Sequence, residues 1–330
     1  MVESKHCVTA NNAQYVLDEE GLPYGVRHTS NRPHVLLYDD TGNPLSLATA
    51  DNQGKFRSIT DGLLYSYQSA DGKPRFSSMP YLYDIAKGNV TDHTSFAKLG
   101  YNGDVGTNEE DIWGIGGTYV QPLAGQQMEV TSTSVEDDIL TAGAVPGTGV
   151  HKVKIGYLDT AYTAQTEEVT LNGTANVLTV ATNILRVNSI RVSVVGTGNK
   201  AAGLIVIRNK TDHTTIYRSM AVGLTRGREM IYTVPLGKTL YLTSIALSSG
   251  YSTVGKNVKW TARANVDDVN MTVLPVGLMM PYFEIQTQDS SFYREFEIPL
   301  KVPATCDLKL SAISDSANSV CTAAVRGWTE

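Results

Sequence analysis

From Met128 to the end of the 330-residue chain, apolar and polar residues alternate with period two in run after run, and this limits the fold more than any other feature. Val150-His151-Lys152-Val153-Lys154-Ile155-Gly156-Tyr157-Leu158 shows it most clearly. Period two sends every second side chain to the same face of an extended strand, so one face can be buried while the other meets water. Similar runs follow at 167–171, 190–195, 203–208, 229–234, 239–247, 258–265, 284–288, 293–298, 306–312 and 320–327. Turn signals separate them: Asn172-Gly173, Gly196-Thr197-Gly198-Asn199, Pro235-Leu236-Gly237-Lys238 and Ser249-Gly250. Strands at this spacing predict a mainly β fold, an antiparallel β-sandwich or jelly-roll-like domain over 126–330, with a C-terminal subdomain from about 272 as a further option. Helical pattern is confined to Thr174–Ile184 and, briefly, Tyr81–Lys87. The absence of a fixed-period repeat argues against a propeller or β-helix.

The first 125 residues read differently. Turn dipeptides such as Glu20-Gly21, Asp61-Gly62, Asp71-Gly72 and Asn102-Gly103 break them up, and only short apolar stretches, His34–Tyr38 and Leu63–Tyr67, lie between. Too little contiguous apolar pattern is present for a strong private core. Residues 1–125 are therefore expected to form an irregular, strand-and-loop N-terminal docking region that packs on the later domain or on neighbouring subunits. Tyr65, Tyr67, Tyr81, Tyr83 and Tyr101 fit an interface, because tyrosine combines contact area with a polar tip, and they fit a half-buried surface equally.

Charge is placed unevenly. Residues 1–125 hold nine Lys/Arg against fifteen Asp/Glu, a net of −6, and the remainder balances at eighteen of each. No basic stripe is visible in the sequence, so nucleic acid is not expected as a direct partner. With 42% hydrophobic and 18% charged residues the composition is that of a globular protein. No apolar run approaches the ~18 residues of a membrane-spanning helix, and Met1-Val2-Glu3-Ser4-Lys5-His6 has neither a basic nor an apolar leader region, so a soluble chain without a secretion address is expected. Cys7, Cys306 and Cys321 are odd in number and widely spaced, which predicts neither a disulfide framework nor a zinc knuckle, and a reducing compartment.

Few residues offer chemistry. Gly250-Tyr251-Ser252-Thr253-Val254-Gly255-Lys256-Asn257 imitates a phosphate loop, but Asn257 stands where Ser or Thr would hold magnesium, and a strand pattern follows where a helix is needed. Gly196–Gly203 imitates a dinucleotide fingerprint with its third glycine one position late, and reads as a hairpin loop. The acidic run through Asp104, Glu109 and Asp111 offers oxygen ligands to a hard cation at a spacing that departs from the EF-hand; these three are the weak metal candidates in a chain expected to hold none. His28 and His34 could converge on a metal. Asp137-Asp138 and Asp267-Asp268 could act as glycosidase carboxylates only if they faced each other in space. No cofactor and no enzyme activity are expected.

The block Phe96–Tyr119, FAKLGYNGDVGTNEEDIWGIGGTY, resembles one found in structural proteins of tailed bacteriophages. Met128–Asp138, Gly147–Val150, Glu167–Thr174 and Ile231–Thr239 are similar to the β domain that accompanies it, so the resemblance spans Phe96 to about Ser249. It implies a noncatalytic virion component, assembled in the host cytoplasm from copies of itself with other capsid or tail proteins, and it brings no catalytic residues. A capsid-decorating or head-associated position through the N-terminal region is the first expectation. The alternative is a tail, baseplate or fibre protein whose loops at 196–202 and 248–256 bind host-surface glycan. Tyr101, Trp113 and Tyr119 are the candidate interface residues. Trp113, between an acidic cluster and Gly114-Ile115-Gly116-Gly117, suits an anchor to another subunit or a plug at the base of the sandwich.

Overall fold

The computed structural model describes the backbone of six strands within the first 80 residues, and residues 81–330 apart from 141–144, 251–256, 268–270, 276, 289–290 and 317. The chain divides into two compact units, Met1–Asp84 with Asn89–Thr91, and Ile85–Gly88 with Asp92–Glu330. In the first, β1 (Cys7–Ala10), β2 (Ala13–Leu17), β3 (Pro23–Thr29) and β4 (Arg32–Val35) form an antiparallel meander, and β5 (Tyr65–Gln68) pairs with β6 (Pro74–Ser77). The helix α1 (Tyr81–Ala86) falls where the brief helical pattern predicts it.

The second unit is a sandwich with another sandwich inserted into it. The chain enters the lower sandwich as β7 (Thr94–Val105) and β8 (Glu110–Asp111), then leaves it to build the upper one. There β9 (Met128–Ser132), β10 (Val150–Asp159), β11 (Ala164–Thr170), β12 (Val177–Leu178), β13 (Ile184–Val195), β14 (Ile205–Asn209) and β15 (Ile216–Met220) form two facing sheets, β11-β10-β13 and β12-β9-β14-β15. Back in the lower sandwich, β16 (Ile231–Thr233), β17 (Leu240–Gly250), β18 (Asn257–Ala264), β19 (Met280–Gln288), β20 (Ser291–Val302), β21 (Asp307–Ser314) and β22 (Ser319–Thr329) complete the sheets β20-β17-β22-β7 and β16-β21-β18-β19, with β8 on β21. Every pairing between these strands is antiparallel, and the fold is mostly antiparallel β as the alternation predicts.

Each sandwich has its own core. Val153, Ile155 and Tyr157 of β10 face Val130 and Ile207 in the upper one, while Trp260, Leu242, Ile245, Leu310 and Val325 meet in the lower one. Trp260 is fully buried, and its indole donates to Thr287 Oγ1 at 2.9 Å, which removes the cost of an unpaired buried N–H. Gly173 and Gly237 sit in turns at φ +54° and +74°, where a Cβ would be strained, whereas Ser249-Gly250 is the paired end of β17 and not a turn.

Four expectations are corrected. The boundary at 125 is not where contacts divide the chain, because β7 pairs with β22 along most of its length, from Thr94↔Thr329 to Val105↔Ser319. No subdomain begins near 272: β19 and β20 join the sheets of β18 and β17. Thr174–Ile184 is not a helix but the short strand β12 and its flanks, with Val177 opposite Val130. Gly196–Gly203 is not a hairpin, since it carries the chain from β13 in one upper sheet to β14 in the other.

Candidate functional site

The chain crosses between the sandwiches twice, at 112–126 and 221–230, and the crossings frame a sealed joint. On the way out, Ile112 N donates to Leu310 O at 2.9 Å, and Gly116 and Gly117 then turn the backbone at φ +76° and +69°. The turn folds back on the acidic run: Gly117 N donates to Glu110 Oε2 at 2.8 Å and Tyr119 N to Asp111 Oδ2 at 2.6 Å. Asp111 also accepts from Lys309 Nζ at 2.9 Å and Ser311 Oγ at 2.7 Å. Glu109 accepts both prongs of Arg263 at 2.8 Å, which holds its carboxyl below the ordinary range. Asp104 accepts from Asn318 N at 3.1 Å. The three candidate metal ligands are thus turned toward three different protein partners. Among the described residues no group of three or more His, Cys, Asp or Glu is placed to hold a metal ion.

Trp113 is 4% exposed and Tyr119 5%, with ring centroids 5.2 Å apart in an edge-to-face arrangement. Around them lie Ile231 of the lower sandwich and Ile216 of the upper one. Trp113 is therefore a plug inside the chain, at the joint between sandwiches, and neither it nor Tyr119 is open to another subunit. Tyr101, 37% exposed on β7, is the one of the three candidate interface residues at the surface. The Arg218 guanidinium stands 5.3 Å from the Tyr119 ring centroid, and burial pushes the phenol up to about 12.

Beside the aromatic plug lies a polar lock. Arg186 of β13 donates from Nε and Nη2 to the two carboxylate oxygens of Asp307 at 2.9 and 3.0 Å, and both side chains are 1% exposed. Its Nη1 donates to Pro122 O at 2.7 Å and Leu185 O at 3.0 Å. Burial by itself would lower the Arg186 pKa, and the hydrogen bonds and charge of Asp307 overcome it and hold the value above the ordinary one. Thr233 Oγ1 donates to Asp307 at 2.5 Å. Asn188 and the Thr233 backbone exchange two hydrogen bonds of 2.8 and 2.9 Å. Lys98 Nζ reaches across to Asn188 O at 2.7 Å, and its pKa is pushed down to about 7, by burial first and the Arg218 charge second. Arg218 donates to Ile231 O at 3.0 Å. A bidentate pair backed by such contacts permits one relative placement of the two sandwiches.

The sequence reading missed Arg186, Asp307, Arg218, Asn188 and Lys98. A signal existed for the first pair: each is a charge inside an otherwise apolar run, Ile184-Leu185-Arg186-Val187 and Cys306-Asp307-Leu308. Charges are seldom buried unless paired.

The remaining candidates are also placed. Asp137, fully buried, accepts from the backbone N–H groups of Val150, Ala202 and Gly203 at 2.7, 2.9 and 2.7 Å and from Ser132 Oγ at 2.6 Å, and so ties the loops at the far end of the upper sandwich. Asp138 caps Leu140 N at 3.0 Å, and Asp268 lies outside the described residues. Residues 251–256 of the phosphate-loop imitation also lie outside them, and Asn257 opens strand β18. The side chains of His28 and His34 are outside too, though the strands β3 and β4 that carry them pair in register Arg27↔His34. Cys306 and Cys321 are buried free thiols, each pushed up to about 12 by burial. A small cleft opens into the lower sandwich, lined by Phe96, Tyr232, Leu242 and Phe283, with Lys98 and Lys309 at its polar side.

No protein-family model matches this sequence, and no curated protein matches it. Among solved structures, the chain is similar to particles of infectious bursal disease virus: the Gt strain at 10% identity over 76% of this chain and 81% of that one, TM-score 0.15. The Gx strain gives 10% identity over 82% and 78%, TM-score 0.18, and the VP2 subviral particle 12% over 76% and 80%, TM-score 0.14. At these TM-scores the backbones do not superpose as one fold, and no functional statement rests on them.

Proposed function

We propose that this protein is a noncatalytic structural component of a tailed-bacteriophage particle, seated on the capsid or head through its N-terminal region and assembled with copies of itself and other virion proteins. The observation that carries the reading is the sealed joint. The block Phe96–Tyr119, whose sequence resembles phage structural proteins, is the segment that builds it: Lys98, Asp111, Trp113 and Tyr119 all lie there. A protein that acts by assembly needs a rigid body with a fixed relation between its parts, and a buried bidentate pair with an aromatic plug provides that. Asp111 is bonded into the joint, Glu109 to Arg263, Asp104 to Asn318 N and Asp137 into its loop clasp, which supports a role without chemistry.

Cryo-electron microscopy of purified particles tests the proposal. Density for the chain on or between capsomers is expected. Density at the tail tip or fibres would move the protein to the alternative, host-glycan recognition, and absence from purified particles would refute the virion reading. Deleting residues 1–80 spares β7 and should abolish incorporation; full occupancy of the shortened chain would end the docking role.

A further inference from the structure

The outer face of the sheet β11-β10-β13 carries a row of three cations. Lys154 of β10 lies opposite Arg191 of β13, and Arg191 lies opposite Arg226 in the return crossing. Directly opposed residues on antiparallel strands share a face, and the flanking Val153, Ile155, Ile190 and Val192 belong to the core, so the three cations point outward together. Val192 N donates to Thr225 O at 2.8 Å and Gly227 N to Ile190 O at 2.9 Å, which makes Arg191 and Arg226 a non-hydrogen-bonded pair, the kind whose side chains approach most closely. Two positions on, Arg228 receives Tyr101 N on its carbonyl at 3.2 Å.

Like charges set opposite each other on neighbouring strands destabilise a sheet. Glu168, opposite Lys154 on β11, is bonded to Lys152 at 3.0 Å and to Ser193 and answers the Lys154 charge in part, whereas among the described residues no carboxylate pairs with Arg191 or Arg226. Among the described residues Lys154, Arg191 and Arg226 form no ion pair or side-chain hydrogen bond.

We propose that this row binds an anionic polysaccharide, laying the carboxylates or sulfates of a linear glycan across the strands. The cations repeat at the strand spacing, about 4.8 Å. Gly156, Ser189 and Ser193 flank them, small or hydroxyl-bearing residues that leave room for sugar hydroxyls. A protein partner would call for an apolar or aromatic centre, and the row contains none. Nucleic acid calls for a broad basic surface, whereas this strip holds three cations in a single row. The inference goes beyond the structural role and does not depend on where the protein sits on a particle.

The test is biolayer interferometry of the full chain against dextran sulfate and polygalacturonate, at low and high salt, with a single-stranded DNA of similar length as a third probe. The wild type should bind at least one glycan, more weakly in high salt. Arg191→Thr/Arg226→Thr should weaken that binding by about tenfold or more, whereas Lys200→Thr/Lys301→Thr, which removes the same charge elsewhere, should change it by less than about twofold. Threonine suits a strand, and relief of repulsion should leave the melting midpoint of the row variant equal or higher, so lost binding would not reflect lost folding. No glycan binding by the wild type, unchanged binding by the row variant, or equal binding of the DNA would each overturn the proposal.

Discussion

Removing Arg186 tests whether the joint holds the two sandwiches together. Arg186→Met keeps much of the side-chain volume but leaves the buried Asp307 carboxylate without its counter-charge and orphans the carbonyls of Pro122 and Leu185. Breaking a fully buried pair from one side costs about 3–5 kcal/mol. In a body of this size each kcal/mol moves the midpoint by roughly 2–4 °C, so a fall of about 6–20 °C is expected by calorimetry. The companion Arg186→Met/Asp307→Leu removes both charges. If the penalty is the stranded carboxylate, the double variant should regain most of the loss, since apolar replacement of a buried pair is often neutral or stabilising by about 1–4 kcal/mol. Limited proteolysis supplies the second readout: the single variant should become cleavable within 112–126, and the double variant should resist. A single variant that loses under about 1 kcal/mol, or a double variant as unstable as the single, would refute the assignment of Arg186–Asp307 as the lock.

Three further outcomes are expected. The Lys98 pKa is lowered to about 7 in the folded chain from 10.5, so between those values the unfolded chain binds the extra proton and stability rises with pH, by at most about 1.4 kcal/mol per unit; urea titrations from pH 7 to 9 should show the slope and Lys98→Met should flatten it, whereas an unchanged slope in the variant would assign it elsewhere. Asp137→Ala strands three backbone donors, two of them buried, and should cost about 2–4 kcal/mol in denaturant unfolding, and a loss under about 0.5 kcal/mol would show that the loops at the far end do not depend on the clasp. Gly327→Ala would set a Cβ 1.9 Å from Tyr241 O, where backbone must shift, so a destabilisation of about 1–3 kcal/mol is expected by thermal melting, and a neutral result would mean that β17 and β22 pair more loosely there.

Much of the secondary structure was legible because period-two alternation is a local record of burial. Val150–Leu158 reads as a strand since Val153, Ile155 and Tyr157 must reach a core on one side. The Asn172-Gly173 turn was legible for a similar reason, a backbone conformation that few residues tolerate. β7 escaped notice: only Gly100, Asn102 and Val105 of its twelve residues are buried, little of the alternation that marks a strand with one buried face. Trp113 was legible as important but open between two roles, because an aromatic between glycines looks alike whether it faces its own chain or another.

By itself, then, the sequence determined an antiparallel β protein, the positions of most of its strands and turns, and the change in texture between its early and later segments. The tertiary structure decided that the later segment holds one sandwich inside another, that Trp113 closes the joint, and that Lys154, Arg191 and Arg226 form a row. The physical reason is range. A strand's face is set by its own alternating residues, but the partner of β7 lies at the far end of the chain, and Arg186 and Asp307 are 121 residues apart. Such pairings are chosen by the packing of two cores at once, and no local pattern encodes them.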